Sequence, residues 1–149
     1  MDEELSMVVL GSGEARFERM FRRLARDYPG KIAVNVGYDD SLAHRIEAGA
    51  DMFLMPSHYE PCGLNQMYSL HYGAVPIVRS TGGLADTVDE TTGFPFAEYS
   101  AEALLDAVRH ALAAWHIRPS WRDRMRLGMN KDFSWEASAA GYQRLYRSL

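Results

Sequence analysis

Four short segments of this chain combine residues that do chemistry with glycines that let backbone approach a ligand. The most informative is Pro56-Ser57-His58-Tyr59-Glu60-Pro61-Cys62-Gly63-Leu64-Asn65-Gln66. It holds a carboxylate, Glu60, and then Gly63 at the point where an amphipathic segment begins. The first N–H groups of a helix have no intrahelical acceptor and carry the positive end of the helix dipole. With a helix starting near Leu64, the amides of Gly63, Leu64 and Asn65 make a terminus suited to a diphosphate or to sugar oxygens. Glu60 beside them would accept hydrogen bonds from hydroxyls, because a carboxylate repels a phosphate. A ligand carrying both hydroxyls and phosphate, such as a nucleotide-sugar, fits that combination. The competing reading is that Glu60 only caps the helix.

The other three segments are less specific. Ser80-Thr81-Gly82-Gly83-Leu84-Ala85-Asp86-Thr87 again puts paired glycines between an apolar run and a helical segment, a second candidate phosphate or sugar contact. Gly37-Tyr38 places an aromatic directly after a strand end, where it either stacks on a base or packs in the ordinary way. Gly11-Ser12-Gly13-Glu14 is either a phosphate-approaching turn or simply a tight turn.

The elements that must hold these segments can be read from hydrophobic period. Short apolar runs at 7–10, 32–36, 51–55, 76–78 and 93–96 predict strands. Between them, Phe17, Met20, Phe21, Leu24 and Tyr28 share a helical face, 41–48 reads as a short helix, and 64–72 reads as a helix stopped by Gly73. Beyond the last strand the chain is helical. Leu104, Leu105, Val108, Leu112 and Trp115 share a face, 120–127 is helical, and Ser134 is an N-cap for a final helix. Trp135, Ala139, Tyr142 and Tyr146 fall on what would be its inner side. Strands alternating with helices predict an α/β fold, a Rossmann-like, mostly parallel sheet with helices on both faces. Ligands of such sheets bind at the carboxyl ends of the strands, where all four segments lie.

Composition narrows the function classes. The chain has 149 residues, the length of one ordinary domain, and we read 1–149 as a single nucleotide-sugar-binding domain. It is 47% hydrophobic and 24% charged, with a net charge of -4. Acids interleave with the arginines of 16–26 and 118–126, which predicts solvated helix faces and no nucleic-acid partner. One cysteine, Cys62, permits no intrachain disulfide. With no apparent signal peptide and no apolar run of membrane length, a cytoplasmic setting without a membrane is expected. The five histidines show no metal-ligand spacing, so no metal is expected, and Trp115, Trp121 and Trp135 read as core or interhelix packing.

The longer motifs resemble a known family. The run from Met55 to Tyr68 is similar to the hallmark segment of bacterial glycogen synthases and plant starch synthases. So are Arg79-Ser80-Thr81-Gly82-Gly83-Leu84-Ala85-Asp86-Thr87-Val88, Gly37-Tyr38, His44-Arg45-Ile46, Ala50-Asp51 and Asp132-Phe133-Ser134-Trp135. Tyr68 stands where related retaining families carry a second glutamate, which favours the synthase branch. The resemblance implies one half of a two-domain GT-B glycosyltransferase, the C-terminal donor-binding domain. It implies transfer of glucose from ADP-glucose, or UDP-glucose, to the non-reducing end of an α-1,4-glucan with retention and no cofactor. By the same resemblance Glu60 is the catalytic carboxylate that hydrogen-bonds the donor glucose. Amides around Cys62, Gly63 and Leu64 bind glucose hydroxyls, and Asn65 lies near the distal phosphate. Tyr38 stacks on the adenine, and Thr81 and Gly82 line the cleft.

The resemblance also marks departures. The family's domain begins with a further strand followed by an Arg and a Lys that neutralise the diphosphate, and this sequence starts at the next strand. The expectation is therefore a fragment whose glucan acceptor site lies in a missing N-terminal domain. Two charge-assisted contacts of roughly 1.5–3 kcal/mol each are two or more decades of affinity, so isolated donor binding should be weak and turnover absent. The absent strand is central in the usual order. The first two strands should then either pair directly with the third or leave an edge through which the chain self-associates. The turn at Asp89-Glu90-Thr91 is shorter than the family's loop.

Overall fold

A computed structural model of the chain describes residues 4–149, and they fall into two compact units, the first ending at Ile46 and the second Glu47–Leu149. In the first, β1 (Met7–Gly11) and β2 (Ile32–Val36) run parallel in register from Met7↔Ile32 to Gly11↔Val36. The helix α1 (Ala15–Asp27) joins them, the crossover that a parallel pair requires. Its start is occupied by the chain's own acids: Glu18 accepts a hydrogen bond from the Gly13 amide at 3.1 Å, and Glu14 pairs with Arg16 at 2.9 Å. The Gly13 amide is thus partnered within the chain, as a tight turn would have it. The helix α2 (Asp40–Gly49) follows β2.

The second unit carries the sheet β3 (Met52–Met55), β4 (Val75–Arg79) and β5 (Phe94–Phe96), all parallel, with β4 in the middle. Val75, Pro76, Ile77 and Val78 are all buried. Successive side chains of a strand point to opposite faces, so a strand buried on both sides reads as a continuous apolar run. The core divides accordingly. Val78 packs with Leu70 of α3 (Asn65–Tyr72), Leu84 of α4 (Gly82–Thr87) and Val88. Its neighbour Ile77 packs with Ala107 and Ala111 of α5 (Ala101–Trp115). Helices therefore cover both faces, as an α/β pattern predicts. On α6 (Arg118–Met129), Trp121 is buried and stacks on Phe94 at 6.2 Å.

Each predicted strand forms, within a residue or two of its expected ends. No ladder among the described residues joins β1 or β2 to β3. The last helix, α7 (Trp135–Arg147), starts where expected, with Ser134 Oγ accepting from the Ala137 amide at 3.1 Å. Its inner side needs correcting: Trp135, Tyr142 and Tyr146 are exposed, Trp135 by 88%. Helical spacing shows that these residues share a face and says nothing of what covers it. Trp115 is half-buried beneath the Arg118 guanidinium, 3.5 Å from the ring centroid.

Candidate functional site

The site of the second unit is built where β3 and β4 end and α3 and α4 begin. Residues 56–64 leave the carboxyl end of β3, and Thr81 leads from β4 into α4. The two loops are docked against each other through backbone. The Gly83 amide donates to the Glu60 carbonyl at 3.0 Å. A Cβ placed on Gly82 would lie 2.1 Å from the Glu60 carbonyl oxygen, and one on Gly83 would lie 2.0 Å from that of Cys62. Gly82 also holds φ at +44, in the left-handed region. The paired glycines thus serve close approach of one loop to the other. This revises the expectation for Gly83, whose amide is taken by Glu60 and is not free for a ligand.

The helix α3 begins at Asn65 with Leu64 as its N-cap, and no side chain caps it. Glu60 is therefore not the capping residue, and the structural alternative for it falls away. Its carboxylate has no hydrogen bond or ion pair among the described residues, and the residue is half-buried. The amides of Gly63, Leu64 and Asn65 find no acceptor there either. A carboxylate that only accepts, when ionised, and a row of amides that only donate therefore stand open in one loop. Together they match the hydroxyls and the anionic oxygens of a sugar phosphate. Thr81 is half-buried at the start of α4, with its carbonyl accepting from the Leu84 amide at 3.1 Å.

The loop is held from behind by residues that the sequence reading did not single out. Gln66 is fully buried, and its Nε2 donates to the carbonyls of Cys62 at 3.2 Å and Gly63 at 3.0 Å and to Thr87 Oγ1 at 3.1 Å. Thr87 Oγ1 donates in turn to the Gly83 carbonyl at 2.6 Å. Arg79, at the end of β4, donates through Nη1 to the His58 carbonyl, and the His58 ring meets Tyr99 edge-on at 4.7 Å. A glutamine two residues into a helix, behind a glycine, was the available signal for Gln66. Its partner Thr87 is 21 residues away in sequence, beyond the reach of local pattern.

Just past the end of α4, Asp89 ties that helix to the α6–α7 connection. It accepts from Lys131 Nζ at 2.7 Å and from the Thr91 and Thr92 amides. The Lys131 hydrogen bond, then that of the Thr91 hydroxyl, hold the Asp89 carboxyl well below the usual carboxylate range. Cys62 is exposed, with its thiol 3.7 Å from the Gly63 carbonyl. Tyr38 belongs to the first unit, where it is 90% exposed just past the end of β2. No three His, Cys, Asp or Glu side chains gather as a metal set among the described residues.

The family described as "Glycosyl transferases group 1" matches residues 1–128. Glycogen synthase of Anaeromyxobacter dehalogenans (strain 2CP-C) is 56% identical over 152 residues, covering 98% of this chain and 32% of that protein. Glycogen synthase of Koribacter versatilis is likewise 56% identical, over 97% of this chain and 31% of its own length. Among solved structures, the catalytic domain of starch synthase IV from Arabidopsis thaliana, bound to ADP and acarbose, superposes with a TM-score of 0.83. It is 30% identical over 96% of this chain and 32% of that one. The sucrose-phosphate synthase of Thermosynechococcus elongatus superposes at 0.68 with 26% identity, over 95% of this chain and 37% of that one. The chain thus spans about a third of the length of the glycogen synthases it matches. Its parallel sheets and flanking helices are those of a Rossmann-like half of a GT-B glycosyltransferase. With the family pattern matched from residue 1 to residue 128, the chain belongs to the group 1 glycosyl transferases.

Proposed function

We propose that this chain is the donor-binding part of an α-1,4-glucan synthase that uses ADP-glucose. The observation that carries the reading is the loop of residues 60–65. There an unpartnered carboxylate and unpartnered helix-terminal amides stand together, in a segment that resembles the hallmark of glycogen synthases, the relatives to which the chain as a whole is 56% identical. In this reading Glu60 accepts hydrogen bonds from the donor glucose as charge develops at the reacting carbon. The amides of Cys62, Gly63 and Leu64 donate to glucose hydroxyls, and Asn65 lies toward the distal phosphate. Thr81 and Gly82 line the same cleft. Tyr38, in the first unit, receives the adenine by family resemblance alone. Donor binding without metal or cofactor belongs to the same reading, as do a cytoplasmic setting and a glucan acceptor held by a part of the protein beyond this chain. No helix among the described residues is long and apolar enough to cross a membrane.

Calorimetric titration of the chain with ADP-glucose and with ADP, beside Glu60→Ala, tests it. ADP-glucose should bind weakly, and the variant should lose about tenfold or more, the value of a hydrogen bond to a charged group, with ADP unaffected. ADP-glucose binding no tighter than ADP, and indifferent to the variant, would refute the assignment.

A further inference from the structure

We propose that Gln66 is the positioning residue of the donor loop, acting through a hydrogen-bond staple to α4 that presents the amides after Glu60 to the ligand. This deepens the donor-binding reading above and rests on it for its ligand. Three observations carry it.

The first is polarity. The carboxamide is fully buried, and two of its three partners are backbone carbonyls, which only accept. The Nε2 end must therefore face Cys62 and Gly63, because the reversed amide would set its oxygen against both. The second is direction. Thr87 gives its hydroxyl proton to the Gly83 carbonyl, so toward Gln66 it can only accept. A chain of donors thus runs from Gln66 through Thr87 into α4, and it crosses the gap between the two loops that the Gly83–Glu60 bond also crosses. The third is space. The other end of the carboxamide, Oε1, is buried without a hydrogen-bond partner, and a Cβ on Gly63 would meet it at 2.5 Å. Gly63 holds φ at +75, a left-handed backbone that a larger residue rarely adopts. Gln66 and Gly63 therefore fit each other: the glycine turns the chain where the carboxamide needs room, and the carboxamide holds the carbonyls that the turn brings inward.

With its carbonyls bound from behind, the peptide planes of residues 62–64 are fixed, and their N–H groups are left facing away from the staple. Gln66 itself does not touch the ligand in this account. Its effect should fall on the sugar end of the donor, which those amides bind, and not on the nucleotide as a whole.

The test compares the chain with Gln66→Met, which keeps length and volume without the donors, and Thr87→Val, which keeps shape without the relay. Amide exchange at Gly83 reads the junction with no ligand present, and titration with ADP-glucose and ADP reads its use. Gly83 exchange should rise about tenfold in Gln66→Met and less in Thr87→Val, with Ile77 and Val78 unchanged. ADP-glucose should weaken about tenfold while ADP holds, a change in ratio that a general loss of stability would not produce. Gly83 exchange within twofold of the parent in both variants overturns the staple, and Thr87→Val decides alone if Gln66→Met does not fold. A raised Gly83 exchange with an unchanged ratio of ADP-glucose to ADP affinity overturns the positioning role. If the parent chain binds no ADP-glucose while exchange still rises, the donor reading fails, and with it the role of Gln66 in binding.

Discussion

Gly83→Ala puts the docking of the two loops to a direct test. The added methyl would lie 2.0 Å from the Cys62 carbonyl oxygen and 2.6 Å from both its carbonyl carbon and its Cα. Non-bonded contacts of a Cβ below 3.0 Å are essentially never seen, so the loop and the helix must part by about 1 Å. All three obstructing atoms are backbone, so no side chain can rotate away to absorb the clash. Overpacking of this kind costs about 1–3 kcal/mol. The Gly83 amide bond to Glu60, 3.0 Å long, is strained or lost as well, worth about 1 kcal/mol more. At roughly 2–4 °C per kcal/mol for a chain of this size, a total near 3 kcal/mol lowers Tm by about 6–12 °C. Differential scanning fluorimetry measures it, with Gly13→Ala as the control, since a Cβ there has nothing within 4 Å. The same variant should weaken ADP-glucose binding at temperatures where it is fully folded. A Gly83→Ala protein that melts with the parent would mean that the loops do not approach as closely as described, and the packing reading of the paired glycines would be wrong.

The remaining predictions concern the frame around the site. Trp121→Ala, which empties a buried position stacked on Phe94, should cost about 3–5 kcal/mol in denaturant unfolding. Trp135→Ala, at a position 88% exposed, should leave the midpoint where it is. The Asp89 carboxyl is depressed in the folded chain by Lys131 and Thr91, so its stabilisation is full above the ordinary carboxylate range and fades as pH falls below about 4. Lys131→Met should lower stability at pH 7 by about 1 kcal/mol, discounted for a carboxylate side chain 53% exposed, and should flatten that acid limb of a Tm-against-pH curve. An acid limb identical in the two proteins would refute the assignment of Asp89.

Much of this molecule was legible before any coordinates. Five strands follow from short apolar runs and most of the helices from apolar residues at helical spacing, because local hydrophobic pattern records which residues of one element share a face. Ser134 announces the start of α7 through a side chain that accepts from the amide three residues on, a wholly local interaction; Ser100 caps α5 in the same way, which the sequence reading did not single out. The motif from Met55 to Tyr68 carried the family, and the matched family pattern agrees with it.

Tertiary structure decided what depends on residues far apart in the chain. The sequence could not show whether Glu60 caps α3 or stands free, because that turns on where the helix begins. Nor could it show that Gly82 and Gly83 are small to admit the backbone of residues 60–62, or that the Gly83 amide is already taken. The Gln66–Thr87 bond spans 21 residues, and a carboxamide inside a helix looks the same on paper whether it faces water or two buried carbonyls. The exposed face of α7 makes the converse point: Trp135, Tyr142 and Tyr146 obey the helical period, yet they are exposed. Periodicity is a property of one element, whereas burial and hydrogen-bond satisfaction are properties of pairs of elements, and only the folded chain brings those pairs together.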